Sequence, residues 1–234
     1  MLKLLAVTLV LFCAGQSIGQ KCSVDSGFRG DSYSIDRYKN RSLIRTIQTL
    51  RDIPASVRSS LNAYLKSRLG EPFSRRVNFS SGYWIDLERL KNESPKDYEW
   101  NKPMGSYDLV FWFSDTTKGL KAFYFKLVLN DDGSIRQGMN LPDIAAHPEK
   151  AQIISCNDAS SIAVNKGFPK HSISAQFEYS GNEKAFVWIV TDNRETEPDE
   201  KPIVLIHGRG TYKHIEINAN TGSVVRIYKE TIAL

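Results

Sequence analysis

One helical stretch followed by nothing but strands constrains this chain most. Ile154-Ser-Cys-Asn-Asp-Ala-Ser-Ser-Ile-Ala-Val-Asn-Lys-Gly167 carries apolar residues at helical spacing and ends in glycine. Beyond it the chain reads as a meander that closes on Asn218-Ala-Asn-Thr-Gly222. A helix with one apolar face must bury that face. Short consecutive strands joined by tight turns supply an antiparallel sheet to bury it against.

A coarser copy of this order lies in the first half. Pro54 opens a helix, since proline suits the first helical turn. Val57, Leu61, Tyr64, Leu65 and Leu69 then recur at helical spacing up to a stop at Gly70. Ser42 is placed to cap a shorter helix with Leu43, Ile44, Ile47 and Leu50 on one face. Strands are expected over Arg76–Leu90, Tyr107–Ser114 and Leu120–Asn130. In the last of these, Phe123, Phe125, Leu127 and Leu129 alternate with Tyr124, Lys126 and Val128, the period of a half-buried strand. Asp131-Asp132-Gly133 is hairpin chemistry, because glycine accepts the positive φ such turns require. Asn92–Pro103 is polar and contains prolines, so it is expected as a loop.

In the second half, Ser155 or Asn157 is positioned to cap the helix, Ala159, Ile162 and Ala163 face inward, and Gly167 ends it. Strands are expected over Ser172–Tyr179, Lys184–Thr191, Ile203–Ile206, Thr211–Ile217 and Ser223–Tyr228, with Asn193–Pro202 an exposed loop. The two ends superimpose as a structural repeat. Leu127 and Leu129 fall on Ile215 and Ile217, and Gly133-Ser134-Ile135 falls on Gly222-Ser223-Val224, the second turn being longer by one residue.

Residues 1–19 read as an export signal: Lys3, an apolar run from Leu4 to Phe12 too short to span a bilayer, and a small-x-small site at Ser17-Ile18-Gly19. No later stretch is apolar enough to cross a membrane, so the product is expected to be secreted or periplasmic without a membrane span. The mature chain of about 215 residues is enough for one large or two small domains. The formal charge of the full chain is +5, with Lys and Arg scattered among Asp and Glu and no basic stripe, which argues against nucleic acid. Two cysteines survive processing, Cys22 and Cys156. In an oxidising compartment they are a candidate disulfide, with two unrelated thiols as the alternative. Asn40, Asn78 and Asn92 match the glycosylation acceptor pattern.

Enzyme chemistry is poorly supported. Pro202-Ile-Val-Leu-Ile-His-Gly-Arg-Gly210 looks like the oxyanion loop of an α/β-hydrolase, but no Gly-x-Ser-x-Gly elbow occurs. His147, His171, His207 and His214 lack the i, i+4 spacing of a zinc helix, leaving only His207 with His214 as a weak metal candidate. Cys156 would need a poised histidine to act as a nucleophile. Trp84, Trp100, Trp112 and Trp188 are most simply core or edge residues of sheets, with a stacking site for sugar as the functional alternative. No catalytic residue, metal ligand or cofactor site is assigned.

At Ile154, Ser155, Ala159, Ile162, Ala163, Gly167, Asn218, Thr221 and Gly222 the second half resembles the PepSY family, over roughly residues 150–230. It departs in its last turn, where Asn218-Ala-Asn220 replaces a common Asp, and in the long acidic loop before Ile203. The first half is similar only to the broader cystatin-like shape, a helix wrapped by an antiparallel sheet. The resemblance implies a non-catalytic domain that binds or restrains another protein, a secreted peptidase or another extracytoplasmic protein being the expected partner. The Gln-x-Val-x-Gly hairpin of true cystatins is absent, so inhibition of papain-like proteases is not expected.

The fold class expected is therefore α+β, two tandem cystatin-like units, each a helix packed on an antiparallel meander sheet. The divisions are 1–19 signal peptide, 20–40 extended lead-in, 41–140 first unit, 141–150 linker and 151–234 PepSY-like unit. The function expected is non-catalytic protein or peptide binding through sheet edges or the loops Asn92–Pro103 and Asn193–Pro202. The alternatives are an envelope-associated structural protein or an enzyme with an unrecognised site.

Overall fold

The computed structural model describes residues 24–27, 41–101, 105–194 and 209–233. The expected export signal, Cys22, most of the lead-in, His207, the expected strand Ile203–Ile206 and most of the loop Asn193–Pro202 lie outside the described residues.

The chain is α+β. Helix α1 (Ala55–Ser74) precedes strands β3 (Asn78–Ile85), β4 (Tyr107–Asp115), β5 (Leu120–Leu129) and β6 (Ile135–Gln137). Helix α4 (Cys156–Asn165) precedes β7 (Ile173–Ser180), β8 (Ala185–Asp192), β9 (Arg209–Asn218) and β10 (Val224–Ala233). Each set of four is an antiparallel meander. Two tandem helix-on-sheet units result. The first sheet is widened by β2 (Ile44–Ile47), antiparallel to β3, and by β1 (Val24–Gly27), parallel to β5.

The helices form where their stripes dictate. Val57, Leu61, Leu65, Leu69 and Phe73 are buried along one side of α1, at the i, i+4 spacing of one helical face. Gly70 leaves helical geometry at φ 72°, so the expected stop is a break, after which a last turn resumes through Pro72. Ser155 caps α4 through a reciprocal box: its hydroxyl accepts from the Asp158 N–H and the Asp158 carboxylate accepts from the Ser155 N–H. Gly167, at φ 87°, ends the turn beyond it.

Both meanders close on equivalent turns. The Asn130 N–H donates to the Ser134 carbonyl, as the Asn218 N–H donates to that of Ser223. The Gly133 and Gly222 N–H groups donate back to Asn130 and Asn218. Each turn also sits on its own helix: a Cβ on Gly133 would meet Val57 Cα at 3.1 Å, and one on Gly222 would meet the Ile162 side chain at 3.5 Å. The Asn218-Ala-Asn220 departure has a physical role. The Asn220 side-chain amide donates to the carbonyls of Glu149 and Gln152, fastening the last turn to the segment that leads into α4.

The two units share one core. Phe113 and Phe123 of the first sheet meet Phe186 at 5.7 and 5.4 Å, and Phe123 stands edge-on to Phe177 at 5.5 Å. β1 lies alongside β7 and brings the sheets side by side. The segment 141–150 is packed: Leu141 and Ile144 are buried, and the Ile144 and Ala145 N–H groups donate to the Arg68 carbonyl at the end of α1.

Three expectations are corrected. Ser42 does not cap the expected short helix; Leu43 ends a 3-10 turn and Ile44, Thr46 and Ile47 enter β2, as β-branched residues favour. The strand expected over Arg76–Leu90 ends at Ile85, where the Asp86 carboxylate accepts from the Arg89 N–H and starts α2 (Leu87–Glu93). Asn92–Pro103 is largely helical, because Pro95 occupies the first position of α3 (Pro95–Asn101) instead of breaking a loop. Leu90 anchors this excursion, buried against Leu43 and Ile85. The lead-in contributes the strand β1.

Cys156 is buried and disulfide-bonded, so it holds no thiolate for nucleophilic chemistry. We expect its partner to be Cys22. Peptide mapping without reductant should recover the two cysteine peptides joined, and reduction should lower the melting temperature by an amount equivalent to about 3–5 kcal/mol. Two separately labelled thiols would reject the pairing. Gly133→Ala should cost about 1–2 kcal/mol for the left-handed backbone alone and more for the contact with Val57. Gly167→Ala, with nothing within 4 Å of the added Cβ, should show only the backbone cost. Equal midpoints in urea would show that the turn does not press on α1.

Candidate functional site

Two features combine exposure with organised chemistry, one on the second sheet and one where the two sheets meet. The first is the edge and outer face of the β7–β10 sheet. Strand pairing places Gln176, Ile189, Glu216 and Arg226 in one row and Ser174, Thr191, His214 and Tyr228 in the next, all on the face opposite Phe177 and Trp188. The Glu216 carboxylate is only 4% exposed and accepts from the Arg226 Nε at 2.6 Å. Arg226 also lies over the Tyr228 ring, 4.4 Å from its centre, and Tyr228 stacks on His214 at 5.1 Å. Glu216 holds the Arg226 guanidinium above its ordinary pKa. Burial pushes Tyr228 up, against a smaller downward pull from Arg226.

Burial lowers the pKa of His214, with Glu230 pulling the other way, so neutral imidazole is favoured. Its Nδ1 shares a hydrogen bond with the Thr191 hydroxyl at 2.9 Å, and its buried Nε2 has no partner. β10 forms the outer edge of this sheet, pairing with β9 on one side. Ile227 on it is 45% exposed, the one large apolar side chain so exposed among the described residues.

The second feature is a cleft of about 260 Å³ between β5, β6 and β7, lined by Tyr124, Lys126, Gln137, Asn140, Glu178 and Tyr179 among others. Lys126 does not offer a free charge to it: its ammonium is 2.5 Å from Asp108, and both side chains are nearly buried. Burial raises the Asp108 carboxyl above its usual range while Lys126 pulls it back. Glu178 is raised too, by burial first and then by the negative charges of Glu216 and Glu230. Gln137 has a buried carboxamide oxygen without a donor.

The residues singled out in the sequence are not gathered at either feature. His147 is exposed beside Glu149, His171 is exposed on another part of the surface, and His207 lies outside the described residues. Only His214 enters the polar face. Among the described residues no group of three His, Cys, Asp or Glu side chains is placed to hold a metal ion. Trp188 is fully buried, its indole N–H donating to the Ile154 carbonyl. Trp84 is partly buried, donating to Asp131 with Arg45 over its ring. Glu178, Glu216, Arg226 and Tyr228 were missed. The readable signal was β7 alternation, which sets Gln176 and Glu178 against Ala175, Phe177 and Tyr179.

Arg226→Ala should destabilise the fold more than the double variant Glu216→Gln/Arg226→Ala. Leaving the Glu216 carboxylate buried and unpaired costs about 1–3 kcal/mol, reduced because the Arg226 head is 58% exposed. Chemical denaturation of both variants measures the difference, and equal stability would mean that solvent already satisfies Glu216.

No protein-family model matches the chain, and neither a curated protein nor a solved structure matches it.

Proposed function

We propose that this is a secreted, non-catalytic protein that binds an extended segment of an extracytoplasmic partner along β10, with restraint of a secreted peptidase as the specific form of that role. The observation that carries the reading is β10 itself. It is ten residues long, pairs with β9 on one side among the described residues, and displays Ile227. An edge strand offers main-chain donors and acceptors to an incoming strand, while alternate side chains supply specificity.

Three further observations are in keeping with it. The resemblance of the second half to PepSY domains implies a binding or restraining role. The disulfide at Cys156 suits an oxidising compartment. Among the described residues no helix is long and apolar enough to cross a membrane.

The test places a photo-crosslinking residue at Ile227, and separately at Glu88 on α2, in the mature protein. Incubated with the native secreted fraction, the Ile227 position should give a discrete adduct and the Glu88 position none. Ile227→Glu, a surface change expected to alter stability by no more than about 0.5 kcal/mol, should abolish capture of the same partner. Equal adducts from both positions, or full capture by Ile227→Glu, would remove β10 as the binding edge. Peptide or ester turnover by the purified protein would instead favour an enzyme.

A further inference from the structure

The cleft between β5, β6 and β7 carries a ligand class of its own, separate from the β10 edge. We propose that it is a binding site for an organic cation, an alkylammonium or guanidinium group. The argument is an imbalance between acceptors and donors. Glu178 lines the cleft, and its side chain has neither a hydrogen-bond nor an ion-pair partner among the described residues. Gln137, on the same wall, has a carboxamide oxygen that is buried without a donor. The Gln137 oxygen has no accessible surface, so the acceptor offered to the cleft is the Glu178 carboxylate, and it calls for a group that brings several N–H bonds, as ammonium and guanidinium do with three and five.

The charges favour the same class. Lys126 is neutralised by Asp108 at 2.5 Å, so the cleft's cation is already committed. Glu178 feels Glu216 of β9 and Glu230 of β10 as like charges from elsewhere on the same sheet. Glu216 is in turn paired with Arg226, which leaves Glu178 and Glu230 uncompensated. An anion entering here would meet the Glu178 carboxylate; a cation would offset the repulsion Glu178 feels from Glu216 and Glu230. Tyr124 and Tyr179 add aromatic walls, and a cation within about 6 Å of a ring face is attracted to it. Size narrows the class further. At about 260 Å³ the cleft falls below the roughly 300–1,000 Å³ of sites that enclose a drug-sized ligand. It therefore fits a single side chain or a small amine.

Such a cation has two sources, a free amine or a lysine or arginine side chain of another protein. The probes separate them. The mature, disulfide-intact protein is titrated by NMR with agmatine, with an extended hexapeptide containing one arginine, and with the same hexapeptide containing citrulline, the neutral isostere. The arginine peptide should saturate and shift the resonances of Gln137, Glu178 and Tyr179. The citrulline peptide should bind at least about ten-fold more weakly, the loss expected when a charge-assisted hydrogen bond is removed. Glu178→Gln, which keeps the shape, should weaken the arginine peptide by a similar factor.

Agmatine matching the arginine peptide identifies a free amine as sufficient, and agmatine binding much more weakly identifies a protein side chain as the source. Equal binding of arginine and citrulline peptides, or saturable shifts confined to residues outside the cleft, would overturn the proposal. If Glu178→Gln does not fold, the arginine–citrulline comparison on the unaltered protein decides alone. Ile227→Glu should leave cation binding unchanged, so failure at the β10 edge and failure at the cleft are read separately.

Discussion

The structure depends on an aromatic contact between its two halves. Phe123 presents its ring to Phe177 and Phe186 at once, while Phe113 reaches Phe186 on one side and Phe73 of α1 on the other. Helix α1, the first sheet and the second sheet are thereby tied to one cluster. Edge-to-face aromatic pairs add about 0.5–1.5 kcal/mol each beyond the area they bury. Their larger effect is topological. Neither sheet can move without opening rings that the other sheet needs, so the repeat is a duplicated layout with a common interior. The buried segment 141–150 follows from this. A slack tether is unnecessary between units that already touch, and Ile144 and Ala145 instead close the C-terminal end of α1 against the Arg68 carbonyl.

Much of this layout was legible because it rests on local rules. The α1 stripe, the Ser155 cap, Gly167, the alternation of β5 and the two closing turns each depend on residues within a few positions of one another. The turn equivalence held down to its hydrogen bonds: Asp132 accepts from the Ser134 N–H in the first turn, and the Thr221 hydroxyl accepts from the Ser223 N–H in the second. What failed depended on context. Pro95 and Ser94 carry the same composition whether they break a loop or cap a helix, and burial of Leu90 against Leu43 and Ile85 decides the matter. Leu43, Ile44 and Ile47 fit a helical face as well as a strand until β3 stands beside them. The parallel strand β1 has no sequence signal, since its four residues Val24-Asp-Ser-Gly27 show neither period and gain their conformation from β5.

The candidate site was less legible still, for a related reason. Glu178, Gln137 and Lys126 lie on three strands whose proximity is set by how the two sheets meet. Alternation alone puts Glu178 on the face opposite Phe177, but it cannot say that β6 and the outer side of β5 border that face. Conversely, the features that stood out in the sequence were mostly used up by structure. Cys156 is in a disulfide, Trp188 fills the core and donates to Ile154, and the histidines are dispersed. Motif-like residues drew attention because of their type; the cleft is defined by which acceptors lack donors, a property that exists only after packing.

Among the described residues β10 pairs with β9 on one side, and its proposed use as a binding edge requires that copies of the chain do not pair there. Long edge strands pair with one another unless something opposes it, and charged side chains along the edge are a common deterrent. Arg226, Lys229 and Glu230 flank the single exposed apolar residue, Ile227. In a second copy placed antiparallel on this edge, the same charges would have to be matched and Ile227 would have to find its own equivalent, which only one register allows. A different strand with an apolar residue facing Ile227 and charges complementary to the Arg226–Glu230 pattern is not so restricted. Specificity of this kind is a difference between affinities. Under the proposed role the charges weaken self-pairing more than they weaken a matched partner, and the Glu216–Arg226–Tyr228 stack holds Arg226 in place on the sheet. Under the proposed role Glu216 acts as an anchor: it holds the Arg226 guanidinium at the edge, where an unsupported arginine would sample many positions.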